Sequence, residues 1–150
     1  MEIREIKRGT EYFYQVCNYI EENINRENLF KNGGTLNYSN LTYDSDILLV
    51  VFDNEIPVGY NSIVKYKGGL YIYQIAVKKK YQNKGIGTLM LRKTIKIAEE
   101  ENTFVTAHVM NYNVASQKMF LNLGFKKIDE DKNTGNGFYI LNQREIKRSK

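Results

Sequence analysis

The sequence predicts a mixed α/β fold: one sheet with helices on both faces. Three observations predict it. Strand-like runs separated by turn residues dominate residues 47–77, and strand–helix–strand units fill residues 70–142. The chain is 150 residues long, 42% hydrophobic and 26% charged, enough for one domain with its own core.

Residues 1–7 alternate apolar and polar and read as a strand. Thr10 fits a helix N-cap, and Phe13, Val16, Cys17 and Ile20 recur behind it at helical spacing. Cys17 lies on that stripe and reads as a small core hydrophobe. Asn32-Gly33-Gly34 and the polar stretch to Ser45 read as a loop with one short helix. Residues 47–52 form a short apolar strand, and Asp53-Asn54-Glu55 a turn. Residues 56–67 and 70–77 read as a hairpin turning at Gly68-Gly69. Pro57, the only proline, falls at a strand start, where a missing N–H does least harm.

A loop over 78–87 leads to a helix over 88–101, with Leu89, Met90, Ile97 and Ala98 as core candidates. Then come a strand (103–110), a helix (114–123), a strand (125–129), a turn (131–137) and a last strand (138–142). The basic tail, 144–150, reads as frayed. The whole chain, 1–150, is expected to be a single domain.

Several classes are disfavoured. No apolar run approaches the roughly 20 residues that cross a bilayer, and residues 1–8 lack the apolar core of a signal peptide. One cysteine allows no internal disulfide, so a cytoplasmic location is expected. One histidine and one cysteine make a zinc site unexpected, and no metal is assigned. The net charge of +5 is uneven. Residues 1–60 carry 5 basic and 10 acidic side chains; residues 61–150 carry 17 and 7. A basic half suits a polyanionic ligand and an acidic half a cationic one, although solvated faces also look like this. The acidic first part and the lack of zinc-finger or RRM-type signatures speak against nucleic acid as the main partner.

The strongest local signal is Gln82-Asn83-Lys84-Gly85-Ile86-Gly87, which follows an apolar strand and opens a helix. Backbone N–H groups at a helix start lack intrahelical partners and carry the positive end of the dipole. Glycine lets a phosphate approach them, and Lys78, Lys79, Lys80 and Lys84 surround the same mouth. The nucleotide-triphosphate loop motif is absent, and the dinucleotide fingerprint fails at Met90.

These residues resemble the GNAT acetyltransferase superfamily, whose pyrophosphate motif is [QR]-x-x-G-x-[GA]. A second motif, N-x-A followed by an aromatic and then G-F, is similar to Asn113-Val114-Ala115 with Phe120 and Gly124-Phe125. The resemblance implies a splayed mixed sheet and acetyl-CoA as co-substrate. It implies that the backbone of Ile75, Ala76 and Val77 binds the pantetheine arm. Gln82, Asn83, Lys84, Gly85, Ile86, Gly87 and Thr88 would bind the pyrophosphate, and Asn113, Ser116 and Phe120 would line the cofactor from the next helix. The Val77 N–H would hold the oxyanion.

The resemblance also exposes departures. Many members have tyrosine where Phe120 stands, assigned as the acid for the thiolate, and phenylalanine donates no proton. Some place a glutamate base where Tyr71 stands, and others where His108 stands. His108 is therefore the candidate base, with a structural histidine as the alternative. Strand alternation puts Phe104, Thr106, His108 and Met110 on one face. Tyr71 and Tyr73 share a strand face and either wall an acceptor pocket or are half-buried strand residues. The acceptor is a small-molecule or peptide amine, unspecified by any motif, and the oligomeric state is left open. A catalytically impaired acyl-CoA-binding module is the alternative function.

Overall fold

The computed structural model describes residues 1–26 and 42–142. Most of the loop expected at 32–45, and all of the tail at 144–150, lies outside the described residues. Seven strands are present among them: β1 (Glu2–Ile6), β2 (Ile47–Asp53), β3 (Ile56–Tyr66), β4 (Gly69–Val77), β5 (Val105–Val109), β6 (Lys126–Glu130) and β7 (Gly137–Leu141). The α-helices are α1 (Glu11–Ile20), α2 (Ile86–Glu100) and α3 (Val114–Asn122). The strands form one sheet in the order β1-β2-β3-β4-β5-β7-β6. The β4–β5 pair is parallel, and the β1–β2, β2–β3, β5–β7 and β6–β7 pairs are antiparallel. This is the mixed α/β sheet that the sequence predicts.

Contacts divide the chain into two compact units, Met1–Val64 with Tyr73–Leu91, and Lys65–Ile72 with Arg92–Lys150. In the first unit β2 is apolar at every position from Ile47 to Phe52 because both of its faces are covered. Leu48, Val50 and Phe52 pack with Phe13, Val16, Cys17 and Ile20 of α1. Val51, on the opposite face, packs with Ile86 and Met90 of α2. Thr10 caps α1, its Oγ1 accepting from the Phe13 N–H at 3.1 Å. The helix then widens into a π-helical turn, Glu21–Asn25, that buries Ile24 and Asn25. Buried Asn25 accepts a hydrogen bond from the buried Tyr60 hydroxyl, which satisfies both polar groups inside the core.

Val51 pairs with Gly59 and Phe52 with Pro57, so Val58 is the extra residue of a bulge. Gly59 matters for the site. A Cβ there would meet Ile86 Cγ2 at 3.1 Å and Met90 Cε at 3.3 Å. Its bare backbone lets the first turn of α2 settle on β3, which fixes where the loop before that helix stands.

In the second unit the hairpin turns one residue earlier than expected. Lys67 and Gly68 both have positive φ, as a two-residue turn of the mirror-image type requires. Gly69 is the first residue of β4, not part of the turn, because a Cβ there would lie 2.3 Å from the Phe104 ring. Behind it the β4–β5 register runs Leu70↔Val105, Tyr71↔Thr106, Ile72↔Ala107. Leu70, Ile72, Val105 and Ala107 are all buried.

Helix α2 begins at Ile86, two residues before the expected start, because Ile86 anchors its first turn in the core. Met90 and Ala98 are buried and Ile97 half-buried, as a core stripe predicts. Leu89 is 42% exposed and is not a core residue; the buried positions are Ile86, Met90, Leu91, Thr94 and Ala98, at spacings of one, three and four.

Candidate active site

The loop of the first unit is built by its own side chains. After the half-buried Ile75, Ala76 and Val77, the Lys78 N–H donates to the Val58 carbonyl at the bulge, 2.8 Å away. Within the expected loop a 3-10 turn, Lys79–Tyr81, reverses the chain. Gln82 reaches back, its Nε2 donating to the Val77 carbonyl at 3.0 Å. The Tyr81 hydroxyl donates to Asp53 Oδ2 at 2.6 Å, and that acceptor holds the phenol above its ordinary value. Lys80 Nζ and Lys84 Nζ lie 5.7 and 5.5 Å from the Tyr81 ring centroid, within cation–π range. The side chains of Tyr81 and Gln82 therefore brace a loop whose tip, Asn83, Lys84 and Gly85, is exposed.

Two residues at that tip have positive φ, Asn83 at 63° and Gly85 at 81°. Asparagine and glycine are the residues that enter this region most readily. The Leu89 N–H donates to the Gly85 carbonyl at 3.0 Å, as the first turn of α2 closes. The N–H groups of Ile86, Gly87 and Thr88 precede that bond and have no intrahelical partner. A Cβ built on Gly85 would meet nothing within 4 Å. An exposed, glycine-bared run of N–H groups beside two lysines fits a phosphate group.

The second unit holds the other candidates. Along β5, Thr106 is buried while His108, on the same face by alternation, is exposed; Met110, expected on that face, lies just past the strand end and is exposed. The Tyr71 hydroxyl and His108 Nδ1 are 2.9 Å apart. Phe138, paired with His108 in register, sets its ring 4.8 Å from the imidazole. Sequence reasoning named Tyr71 and His108 separately and did not pair them.

Asn113 caps α3, its Oδ1 accepting from the Ser116 N–H at 3.1 Å. Gln117 Nε2 donates to the carbonyls of Met110 and Asn111, holding the turn before the helix. Phe120 is 2% exposed, edge-on to Phe125 at 4.9 Å and tilted against Tyr139 at 6.0 Å. Among the described residues no group of three or more His, Cys, Asp or Glu side chains could hold a metal. No helix among them is long and apolar enough to cross a membrane.

Comparison with known proteins defines the class. The model of the acetyltransferase (GNAT) family matches residues 8–125, and the chain belongs to that family. Solved structures share the fold at low identity. The PaiA N-acetyltransferase of Thermoplasma acidophilum, solved with coenzyme A, is 15% identical with a TM-score of 0.74, covering 95% of this chain and 99% of its own. The yncA protein of Salmonella typhimurium, solved with its cofactor acetyl-CoA, is 20% identical with a TM-score of 0.71, covering 95% and 94%. An aminoglycoside 6'-acetyltransferase type Ii is 13% identical with a TM-score of 0.74, covering 95% and 97%. No curated protein sequence matches the chain.

Proposed function

We propose that residues 1–150 act as one cytoplasmic N-acetyltransferase domain that moves acetyl from acetyl-CoA to a primary amine by direct attack. The observation that carries this is the braced loop 82–88 in a chain of the acetyltransferase family. The match of that family over 8–125 draws on both compact units. Coenzyme A and acetyl-CoA in the solved relatives support the co-substrate.

Backbone N–H groups from Lys84 to Thr88 bind the pyrophosphate, and Gln82 and Asn83 shape the turn that presents them. Ile75, Ala76 and Val77 bind the pantetheine arm through their backbone. Asn113, Ser116 and Phe120 contribute from α3. The amine reaches the site as an ammonium ion. With a pKa of about 10.4, only about one molecule in a thousand is neutral near pH 7.4, equivalent to about 4 kcal/mol. His108 Nε2 takes that proton, directly or through water. The neutral nitrogen attacks the thioester carbonyl, and the Val77 N–H stabilises the oxyanion. The C–S bond then breaks, and CoA leaves as a thiolate. A thiol pKa of about 8.5 makes departure without an acid tolerable, so Phe120 needs no hydroxyl. The nitrogen's second proton goes to solvent, and the thiolate takes one.

A second reading, an acyl-CoA-binding module without turnover, is favoured by Phe120 alone, which offers no proton and is packed between Phe125 and Tyr139. Calorimetry with acetyl-CoA, followed by an amine panel scored by free thiol, tests both. Binding with thiol release that depends on the amine supports the enzyme. Binding without release under every amine supports the module, and no binding refutes both.

A further inference from the structure

The imidazole of His108 is gripped on two sides. The Tyr71 ring lies 5.8 Å away at 70°, and the Phe138 ring 4.8 Å away at 40°. The parallel register explains why Tyr71 reaches it. Tyr71 pairs with Thr106, so His108 is two residues further along the same face, a diagonal that a long aromatic side chain spans. Tyr71 cannot turn to the other face. A one-residue slip of β4 would expel Leu70 and Ile72 from the core. Tyr71 is backed in turn by the Tyr66 ring at 6.4 Å, over which Lys67 Nζ stands at 5.3 Å. The groups facing the imidazole are thus Tyr71 from β4 and Phe138 from β7, with Lys67 the charge behind Tyr71.

A phenol can donate to Nδ1 or accept from it. If it donates, the imidazole carries its proton on Nε2 and has no lone pair left for an amine. If it accepts, Nδ1 carries the proton and Nε2 is the base. Once His108 is protonated both nitrogens are donors, so the phenol oxygen must accept. Only the accepting arrangement serves both states without reorganisation.

We propose that Tyr71 is the positioning residue of His108: its hydroxyl oxygen accepts the Nδ1 proton and so holds Nε2 as the nitrogen that deprotonates the amine. This rests on the proposed acetyl transfer with His108 as base. It replaces the expectation that Tyr71 is a pocket wall with a role in the proton transfer.

His108 is the only histidine, so heavy-nitrogen labelling of histidine reports on one ring. In the wild-type protein, the nitrogen shifts of the neutral ring should read Nδ1 protonated and Nε2 bare. In Tyr71→Phe, which keeps the ring, the tautomer should move towards Nε2 protonated. Its kcat should fall about tenfold or more, the range for losing a hydrogen bond to a charged group, at unchanged acetyl-CoA KM. In a His108→Ala background Tyr71→Phe should cost nothing further. An Nε2-protonated tautomer in the wild type overturns the proposal. So does an unchanged tautomer in Tyr71→Phe, or an equal loss of kcat in both backgrounds. If transfer proceeds at full kcat in His108→Ala, the base is wrong and this proposal fails with it. If no amine is acetylated by the wild type, the proposed function fails, while the nitrogen shifts still decide whether Tyr71 sets the tautomer.

Discussion

Gly85 and Gly9 make a matched pair for testing the phosphate loop. Both have positive φ, 81° and 84°, and a Cβ on either meets nothing within 4 Å. Alanine at each position therefore costs backbone strain alone, about 1–2 kcal/mol for a left-handed residue. In a chain of this size that lowers the melting temperature by about 2–8 °C. The two variants should melt together. They should differ in binding. The open space beside Gly85 is where the loop would receive a phosphate, and a methyl there holds the anion off the N–H groups of Ile86 to Thr88. Losing one or two charge-assisted hydrogen bonds, at about 1.5–3 kcal/mol each, weakens coenzyme A at least about tenfold. Gly9 precedes α1, outside the proposed phosphate loop, so Gly9→Ala should bind as the wild type does. Calorimetry with coenzyme A and a thermal melt on the same three proteins give both numbers. Equal affinity in all three, with the melting shift present in both variants, would refute the phosphate loop.

Three further outcomes are expected. Phe120→Tyr buries a hydroxyl among the Phe125 and Tyr139 rings at about 1–3 kcal/mol, so it should melt lower and gain no kcat; a faster enzyme with an unchanged melt would place that hydroxyl in the chemistry. Gly69→Ala drives a methyl into the Phe104 ring and should destabilise by about 1–3 kcal/mol, with faster exchange of the Leu70 amide that bonds Phe104; an unchanged melt and exchange rate would contradict the close approach. Burial, aided by Glu21, pushes the Cys17 thiol from its ordinary 9.0 up to about 12, so its contribution to stability is complete below about pH 9 and lost as pH rises towards about 12. Melting temperature should fall more steeply above pH 9 than in Cys17→Ala, and equal slopes would exclude the thiol as the cause.

Periodicity carries the fold far. The stripe Phe13, Val16, Cys17, Ile20 and the unbroken apolar run of β2 identify a buried helix face and a strand covered on both sides. It fails where backbone conformation decides. The turn at Lys67-Gly68 and the strand role of Gly69 depend on a ring 35 residues away in sequence, which no local pattern records. Leu89 looks like core until Ile86 is known to start the helix. For the site, the glycine loop is legible because its chemistry is local. The Tyr71–His108 contact is not, since it follows from the register of two parallel strands 37 residues apart. Asn83, two residues before Gly85, takes the left-handed conformation that asparagine enters readily, a choice the sequence reading did not draw from it.

The bond from Tyr81 to Asp53 has a consequence for how fast a ligand arrives. It fixes an aromatic face on which Lys80 and Lys84 rest, so two ammonium groups are kept near the loop instead of sweeping through solvent. A held pair of cations draws a polyanion along a directed path, and encounter rates gained in this way fall steeply with ionic strength. Added salt shortens the reach of those charges to about 10 Å at 0.1 M and about 3 Å at 1 M. Capture of coenzyme A should therefore slow with salt much more than its escape quickens.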